Sequence, residues 1–301
     1  MAEFQFAKYQ GTGNDFVMIE DPRDRLSLSP ELVAALCDRQ FGVGADGLIR
    51  VTGPEGAAAA GLRDQAREAN LFMDYYNADG ATAEMCGNGI RCLAKLAWER
   101  GLTDRTELAV ATRGGLKRVW YRPKGGEVSE ATVDMGPPSF RRSDIPMEGP
   151  PDERFLTEPL EYDGMSFKAS AVSMGNPHLV LFVDRDPDAM DVRRIGPDLE
   201  RDPRFPNRTN VEFVAPDGGG IKVRVWERGV GETMACGTGA CASLVAAHLA
   251  GLVPRRAKVK FPGGTLHLEW REDGPVEMTG PAQRVFDGSL DAGRLLEARR
   301  P

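Results

Sequence analysis

Two cysteines open matching apolar runs, one in Met85-Cys86-Gly87-Asn88-Gly89 and the other in Ala235-Cys236-Gly237-Thr238-Gly239. If each run is a helix, each thiol sits at a helix N-terminus. There, unpaired N–H groups and the positive end of the helix dipole lower a thiol's pKa and bind anions. A pair of such thiols, one charged and one protonated, suits the removal of a proton from one face of an sp³ carbon and the return of a proton to the opposite face. The α-hydrogen of an amino acid is weakly acidic, and its carbanion pushes charge onto the adjacent carboxylate. Backbone donors of Gly87-Asn88 and Gly237-Thr238 would receive that charge, and glycine permits the close approach.

The elements around the two cysteines repeat. Cys86 and Cys236 lie 150 positions apart in a chain of 301 residues, which points to an internal duplication. Leu71–Tyr76 reads as a strand before the first cysteine, and Ile221–Trp226 alternates as a half-buried strand before the second. Ile90, Leu93, Ala94, Ala97 and Trp98 recur at helical spacing up to a stop at Gly101, which makes the first helix amphipathic. The second, from about Ala240 to Ala250, is apolar almost all round and reads as central and buried. Two strands joined by Gly-Gly follow each helix: Glu107–Thr112 and Leu116–Tyr121, then Ala257–Phe261 and Thr265–Trp270. Upstream, the asparagine turn Gly13-Asn14-Asp15 echoes Gly175-Asn176-Pro177, each feeding a strand. The expectation is two similar α+β domains meeting near Met135-Gly136-Pro137-Pro138. Residues 1–134 form one and 135–282 the other. The segment Gly53–Asn70 reads as an excursion between strands with no part in a site.

Composition sets the outer bounds. With 41% hydrophobic and 28% charged residues and a mean hydropathy of −0.35, the chain reads as a soluble protein of about two domains. A net charge of −7 without a Lys/Arg stripe gives no footprint for nucleic acid, so the expected partner is a small molecule. Cys236–Val253 has no Asp, Glu, Lys or Arg over 18 residues, but its opening glycines and threonine and its His248 favour a core helix over a membrane span. No basic segment followed by an apolar one opens the chain, so the expected location is the cytoplasm. Five cysteines do not make a disulfide framework. Cys37 belongs to the core face of a helix over Pro30–Gln40 capped by Ser29. Cys92 and Cys241 point away from the motif cysteines, and His178, His248 and His267 are scattered, so no metal site is expected.

Taken together, Gly11-Thr12-Gly13-Asn14-Asp15-Phe16, Asn77-Ala78-Asp79-Gly80, Met85 to Cys92, Met174-Gly175-Asn176-Pro177-His178 and Glu227 to Cys241 resemble the diaminopimelate epimerase family, in order along the whole chain. The resemblance implies two pseudosymmetric domains, each a mixed or antiparallel sheet wrapped around a central helix, with the tail 283–301 returning to the first. It implies cofactor-independent interconversion of LL- and meso-diaminopimelate in bacterial lysine and peptidoglycan-precursor synthesis, by a homodimer. Cys86 and Cys236 would be the acid and base. Asn14, Asn77, Asn176, Asn210, Glu227 and Arg228 would contact substrate, the backbone of Gly87-Asn88 and Gly237-Thr238 would hold the reacting carboxylate, and His178 would be the polar residue beside the cysteine pair. One departure is Gly47, where some members carry a substrate-touching glutamine.

Three rivals are weaker. A proline or hydroxyproline racemase of the same architecture needs no recognition of a distal amino-acid head, for which Arg228 and several asparagines are suited. Gly237-Thr238-Gly239-Ala240-Cys241-Ala242 fits a loose dinucleotide fingerprint, but about ten residues separate it from its strand and the parallel β-α-β alternation is missing. A noncatalytic amino-acid binder would have no use for both thiols. If the thiols face each other across one carbon, oxidation should join Cys86 to Cys236 and abolish activity. Peptide mapping under non-reducing conditions checks this, and activity that survives complete crosslinking would refute the facing geometry.

Overall fold

The computed structural model describes residues Glu3–Glu297, which group into two units: one runs through Val133 and resumes at Gly280, and the other covers 134–279. The first unit is built from β1 (Glu3–Gly11), β2 (Asn14–Glu20), α1 (Pro30–Cys37), β3 (Gly47–Thr52), α2 (Pro54–Ala59), α3 (Arg63–Ala66), β4 (Leu71–Asn77), α4 (Gly87–Glu99), β5 (Glu107–Ala111), β6 (Lys117–Tyr121) and β7 (Glu130–Asp134). From β1 to β7 the successive pairings are antiparallel, parallel, antiparallel, parallel, antiparallel and antiparallel. The short helices α2 and α3 occupy the excursion between β3 and β4.

The second unit repeats the pattern. It contains β8 (Glu158–Tyr162), β9 (Met165–Ser173), β10 (Pro177–Phe182), α5 (Val192–Glu200), β11 (Asn210–Asp217), β12 (Gly220–Glu227), β13 (Gly231–Thr233), α6 (Gly237–Leu249), β14 (Arg256–Phe261), β15 (Gly264–Trp270) and most of β16 (Val276–Pro281). From β9 through β10, β11, β12, β14 and β15 to β16 the pairings run antiparallel, parallel, antiparallel, parallel, antiparallel and antiparallel, the same series as in the first unit. The outer edges differ in origin. In the second unit β8 pairs with β9; in the first, the tail strand β17 (Gln283–Asp291), followed by α7 (Ala292–Glu297), pairs antiparallel with β1. The fold is thus α+β and duplicated.

Strand alternation explains the layers. In β2, Val17 and Ile19 pack with Leu32, Val33 and Leu36 of α1, so Phe16 and Met18 turn to the other face, where the Phe16 ring lies close to Gly89 of α4. In β10 and β11, Leu179, Leu181, Val211 and Phe213 pack with Val192, Ile195 and Leu199 of α5. This leaves His178, Asn210 and Glu212 on the face toward α6. Ser29 caps α1, its hydroxyl accepting from the Leu32 N–H at 3.2 Å. Both central helices end on a glycine with positive φ, Gly101 at 67° and Gly251 at 74°, the left-handed turn that closes a helix without cost only when no Cβ is present.

Three sequence expectations change here. The helix over Pro30–Gln40 stops at Cys37, and α6 begins at Gly237 rather than near Ala240. More consequentially, α4 is not half exposed: Gly87 through Ala97 are all buried, Arg91 and Lys95 included. Its polar face is covered because each cation finds acceptors inside the unit. Lys95 Nζ donates to the Val128 carbonyl at 2.7 Å and pairs with Glu99 at 2.6 Å, and the Tyr9 hydroxyl reaches the same carboxylate at 2.9 Å. Among the described residues no helix is long and apolar enough to cross a membrane, α6 included.

Burial pushes the thiols of Cys37 and Cys92 up to about 12. At about pH 8 their thiolate fraction is then about one part in ten thousand, against roughly a quarter for an ordinary thiol. Iodoacetamide at that pH should leave both unmodified in the native protein and alkylate both once it is unfolded, as read by peptide mass spectrometry. Rapid native alkylation of either would contradict this packing.

Candidate active site

Each motif cysteine is the N-cap of its central helix, Cys86 at φ −134° and ψ 119°, Cys236 at φ −120° and ψ 121°. The extended N-cap conformation turns the sulfur toward the first turn, where N–H groups lack intrahelical partners. Equivalent backbones nevertheless carry different surroundings, and each unit is described by itself.

In the first unit the Cys86 thiol donates to Asn14 Oδ1 at 3.4 Å, and the same oxygen accepts from Asn88 Nδ2 at 3.3 Å. Asn14 Nδ2 donates to Asp46 Oδ2 at 2.7 Å. Asn88 Oδ1 accepts from Arg91 Nη2 at 3.0 Å and from the Thr12 hydroxyl at 3.2 Å. Asn77 stands at the end of β4, exposed, with its N–H on the Ala81 carbonyl at 2.9 Å. The structure therefore brings Asn14, Gly87 and Asn88 around Cys86. Gly47 pairs with Asn77 across β3 and β4, and a Cβ there would fall 2.6 Å from the Tyr76 carbonyl oxygen and 2.8 Å from the Tyr75 ring. On this backbone the position accepts no glutamine.

In the second unit Cys236 Sγ accepts from the Gly239 N–H at 3.4 Å and lies 3.5 Å from the Thr238 hydroxyl. Asn176 Nδ2 donates to Thr238 Oγ1 at 3.3 Å, while Asn176 Oδ1 lies 3.0 Å from His178 Nε2. The other ring nitrogen of His178 meets Glu212 Oε1 at 2.7 Å, with both side chains fully buried. A continuous polar chain thus runs from Glu212 through His178, Asn176 and Thr238 to Cys236. Sequence reading missed Glu212. Its signal was a lone acid in the otherwise apolar run Val211–Ala215, on the strand face shared with His178.

The loop before Cys236 is pinned. Asn210 Nδ2 donates to the Pro177 carbonyl at 2.8 Å and Asn210 Oδ1 accepts the Arg228 N–H at 2.9 Å, so both ends of this amide brace the backbone. The Gly229 N–H reaches Glu200 at 3.1 Å, and the exposed Arg228 guanidinium donates to the Asn207 carbonyl at 3.1 Å. Glu227 accepts from the Thr233 hydroxyl. Burial raises the Glu227 carboxyl above its ordinary value, opposed by hydrogen bonds from Thr233 and from the Cys236 thiol.

The expectation that the helix terminus lowers the thiol pKa fails for Cys236. Burial, followed by the negative charges of Glu227 and Glu212, pushes it well above its ordinary value, and the bonds from Thr238 and Gly239 offset only part of this. Near neutrality Cys236 therefore holds its proton, and once ionised it is a stronger base than an ordinary thiolate.

Gly239 is required by this crowding. A Cβ there would come 2.6 Å from Glu212 Oε1 and 3.4 Å from Cys236 Sγ. Gly239→Ala should cost about 1–3 kcal/mol of stability through overpacking, measured by urea unfolding, and should lower activity more than the stability loss explains. An unchanged midpoint would show that Glu212 has room to move.

A family model described as diaminopimelate epimerase matches residues 6–141 and 170–285. A diaminopimelate epimerase of Desulforudis audaxviator is 48% identical over 290 residues, covering 94% of this chain and 98% of the relative. One from Leptospira biflexa is 42% identical over 291 residues, covering 96% and 99%. Among solved structures, a probable proline racemase from Agrobacterium radiobacter superposes with a TM-score of 0.69 at 14% identity, over 95% of this chain and 92% of that one, a likeness of fold. With two matching N-cap motifs, a duplicated fold and relatives 42–48% identical over nearly the whole chain all in agreement, the chain belongs to the diaminopimelate epimerase family of isomerases.

Proposed function

We propose that the protein interconverts LL- and meso-2,6-diaminopimelate without a cofactor, with Cys86 and Cys236 exchanging the roles of acid and base. The observation that carries this reading is the duplication: two sulfurs at the N-caps of equivalent helices, each beside a turn asparagine, Asn14 or Asn176. The relatives' shared name supports the substrate.

In the proposed reaction a thiolate takes the α-proton, and the electron pair left on Cα spreads into the carboxylate. The other thiol then delivers its proton to the opposite face. One C–H bond breaks and one forms, one thiol is made and one consumed, and nothing is oxidised. N–H groups at Gly87-Asn88 and Gly237-Thr238 stabilise the carboxylate as its charge grows. The raised pKa of Cys236 suits it to start as the proton donor, since near neutrality it keeps its proton. Asn14, Asn77, Asn176 and Glu227 orient the substrate, Arg228 meets a carboxylate, and Asn210 acts through the Arg228 backbone it holds. His178 holds Asn176 in register with Thr238. Such an enzyme serves bacterial lysine and peptidoglycan-precursor synthesis in the cytoplasm, as a homodimer.

In D₂O, LL-diaminopimelate should gain one deuterium at the inverted α-carbon in the absence of added cofactor. Cys86→Ala and Cys236→Ala should each lower the rate at least about a hundredfold, the smaller end of what a positioned acid or base supplies. Absence of exchange would overturn the substrate assignment. Inversion that survives either substitution would overturn the two-thiol mechanism.

A further inference from the structure

The amide chain at Cys86 has a polarity fixed from outside. A guanidinium can only donate hydrogen bonds, so the Asn88 atom 3.0 Å from Arg91 Nη2 has to be its oxygen. Its amide nitrogen then points at Asn14, 3.3 Å away, and needs an acceptor there. A carboxylate can only accept, so the Asn14 atom 2.7 Å from Asp46 Oδ2 has to be its nitrogen. Both constraints give one answer: Asn14 presents its oxygen to the Cys86 sulfur, 3.4 Å away. Arg91 is itself immobilised, fully buried, donating to the Gly87 carbonyl at 3.1 Å, to Thr12 Oγ1 at 3.2 Å and to the Pro281 carbonyl at 3.2 Å.

We propose that Asp46 and Arg91 are positioning residues for Cys86, locking the Asn14 amide so that an oxygen, never an N–H, faces the sulfur. The lock directs the thiol proton toward Asn14 until substrate displaces that contact, after which Cys86 can lose its proton to solvent and act as the thiolate opposite a protonated Cys236. The contrast with Cys236 is direct, since there the backbone N–H of Gly239 points at the sulfur. This inference rests on the proposed reading of Cys86 as a proton-transferring thiol.

The charged groups facing this cluster within the unit are Asp46, Asp15, Arg39 and Lys8 on the strand and loop side and Arg91 on the helix side. Arg39 pairs with Asp15 and with Asp46 at 2.7 Å each, and Lys8 pairs with Asp15 at 2.7 Å. Burial opposes the ionisation of Asp15, yet the bonds from Arg39 and Lys8 bring it down to about 2, so it is charged throughout the range in which a thiol titrates.

The test is the pH profile of Cys86 alkylation by iodoacetamide, resolved by peptide mass spectrometry without substrate. In the double variant Asp46→Asn with Asn88→Ala, both partners that fix the amide are gone and Asn14 can turn its N–H to the sulfur. The alkylation midpoint should fall by about one pH unit, so that the rate near neutrality rises about tenfold. Asp46→Glu with Asn88 intact, which keeps both partners, should keep the wild-type value. Asp15→Asn with Asn88→Ala removes a neighbouring negative charge while Asp46 still holds the amide, and should move it far less. An unchanged midpoint in Asp46→Asn with Asn88→Ala, or an equal shift in Asp15→Asn with Asn88→Ala, would overturn the proposal. Should these variants not fold, the S–H stretching band of Cys86 in the wild-type protein, obtained by difference against Cys86→Ser, decides. A band lowered by hydrogen bonding is expected, and one at the frequency of an unbonded thiol overturns it. Because no substrate enters either measurement, these outcomes are separable from failure of the deuterium experiment.

Discussion

The structure turns on burying two helix N-termini without leaving their polar groups unanswered. A buried donor or acceptor without a partner costs about 1–3 kcal/mol, and each N-cap cysteine sits among several. The first unit answers with the Arg91 guanidinium, which stitches Gly87, Asn88, Thr12 and Pro281 together from inside the helix. The second has Cys241 at the equivalent position, and the polar work passes to the sheet, where His178 and Glu212 lie fully buried. Gly239 leaves the room that the Glu212 carboxylate fills. Duplicated backbones have thus acquired non-identical interiors.

That difference gives the two sulfurs opposite surroundings. Cys86 meets an amide oxygen, whereas Cys236 meets a backbone N–H and lies close to two carboxylates. A simple helix-dipole argument treats the two termini alike. It fails at Cys236 because removal from water and the charges of Glu227 and Glu212 outweigh the first-turn N–H groups.

Much of this was legible in the sequence because it rests on spacing. The 150-residue offset locates the helices Gly87–Glu99 and Gly237–Leu249 and their stops at Gly101 and Gly251. Alternation located the flanking strands. What periodicity could not reveal was where charge goes. The pattern of Ile90, Leu93, Ala94 and Ala97 implied a wet face on α4, but Arg91 and Lys95 find their acceptors on Thr12, Pro281 and Val128, segments distant in the chain. Glu212 and Asp46 escaped notice for the same reason. Their meaning lies in a partner, His178 or Asn14, that only tertiary structure brings near.

The tail strand has a consequence for synthesis. β17 completes the edge of the first unit by pairing with β1, in a register that matches Glu3 with Asp291. On the ribosome, the strands β8 to β15 of the second unit are made as one uninterrupted stretch, while the first waits with an unpaired edge at β1 until β17 has emerged. Contacts this far apart in sequence form slowly, and an open strand edge invites association with other chains. Of the two units, the one translated earlier is therefore the one completed later, because its sheet closes only when β17 reaches back to β1.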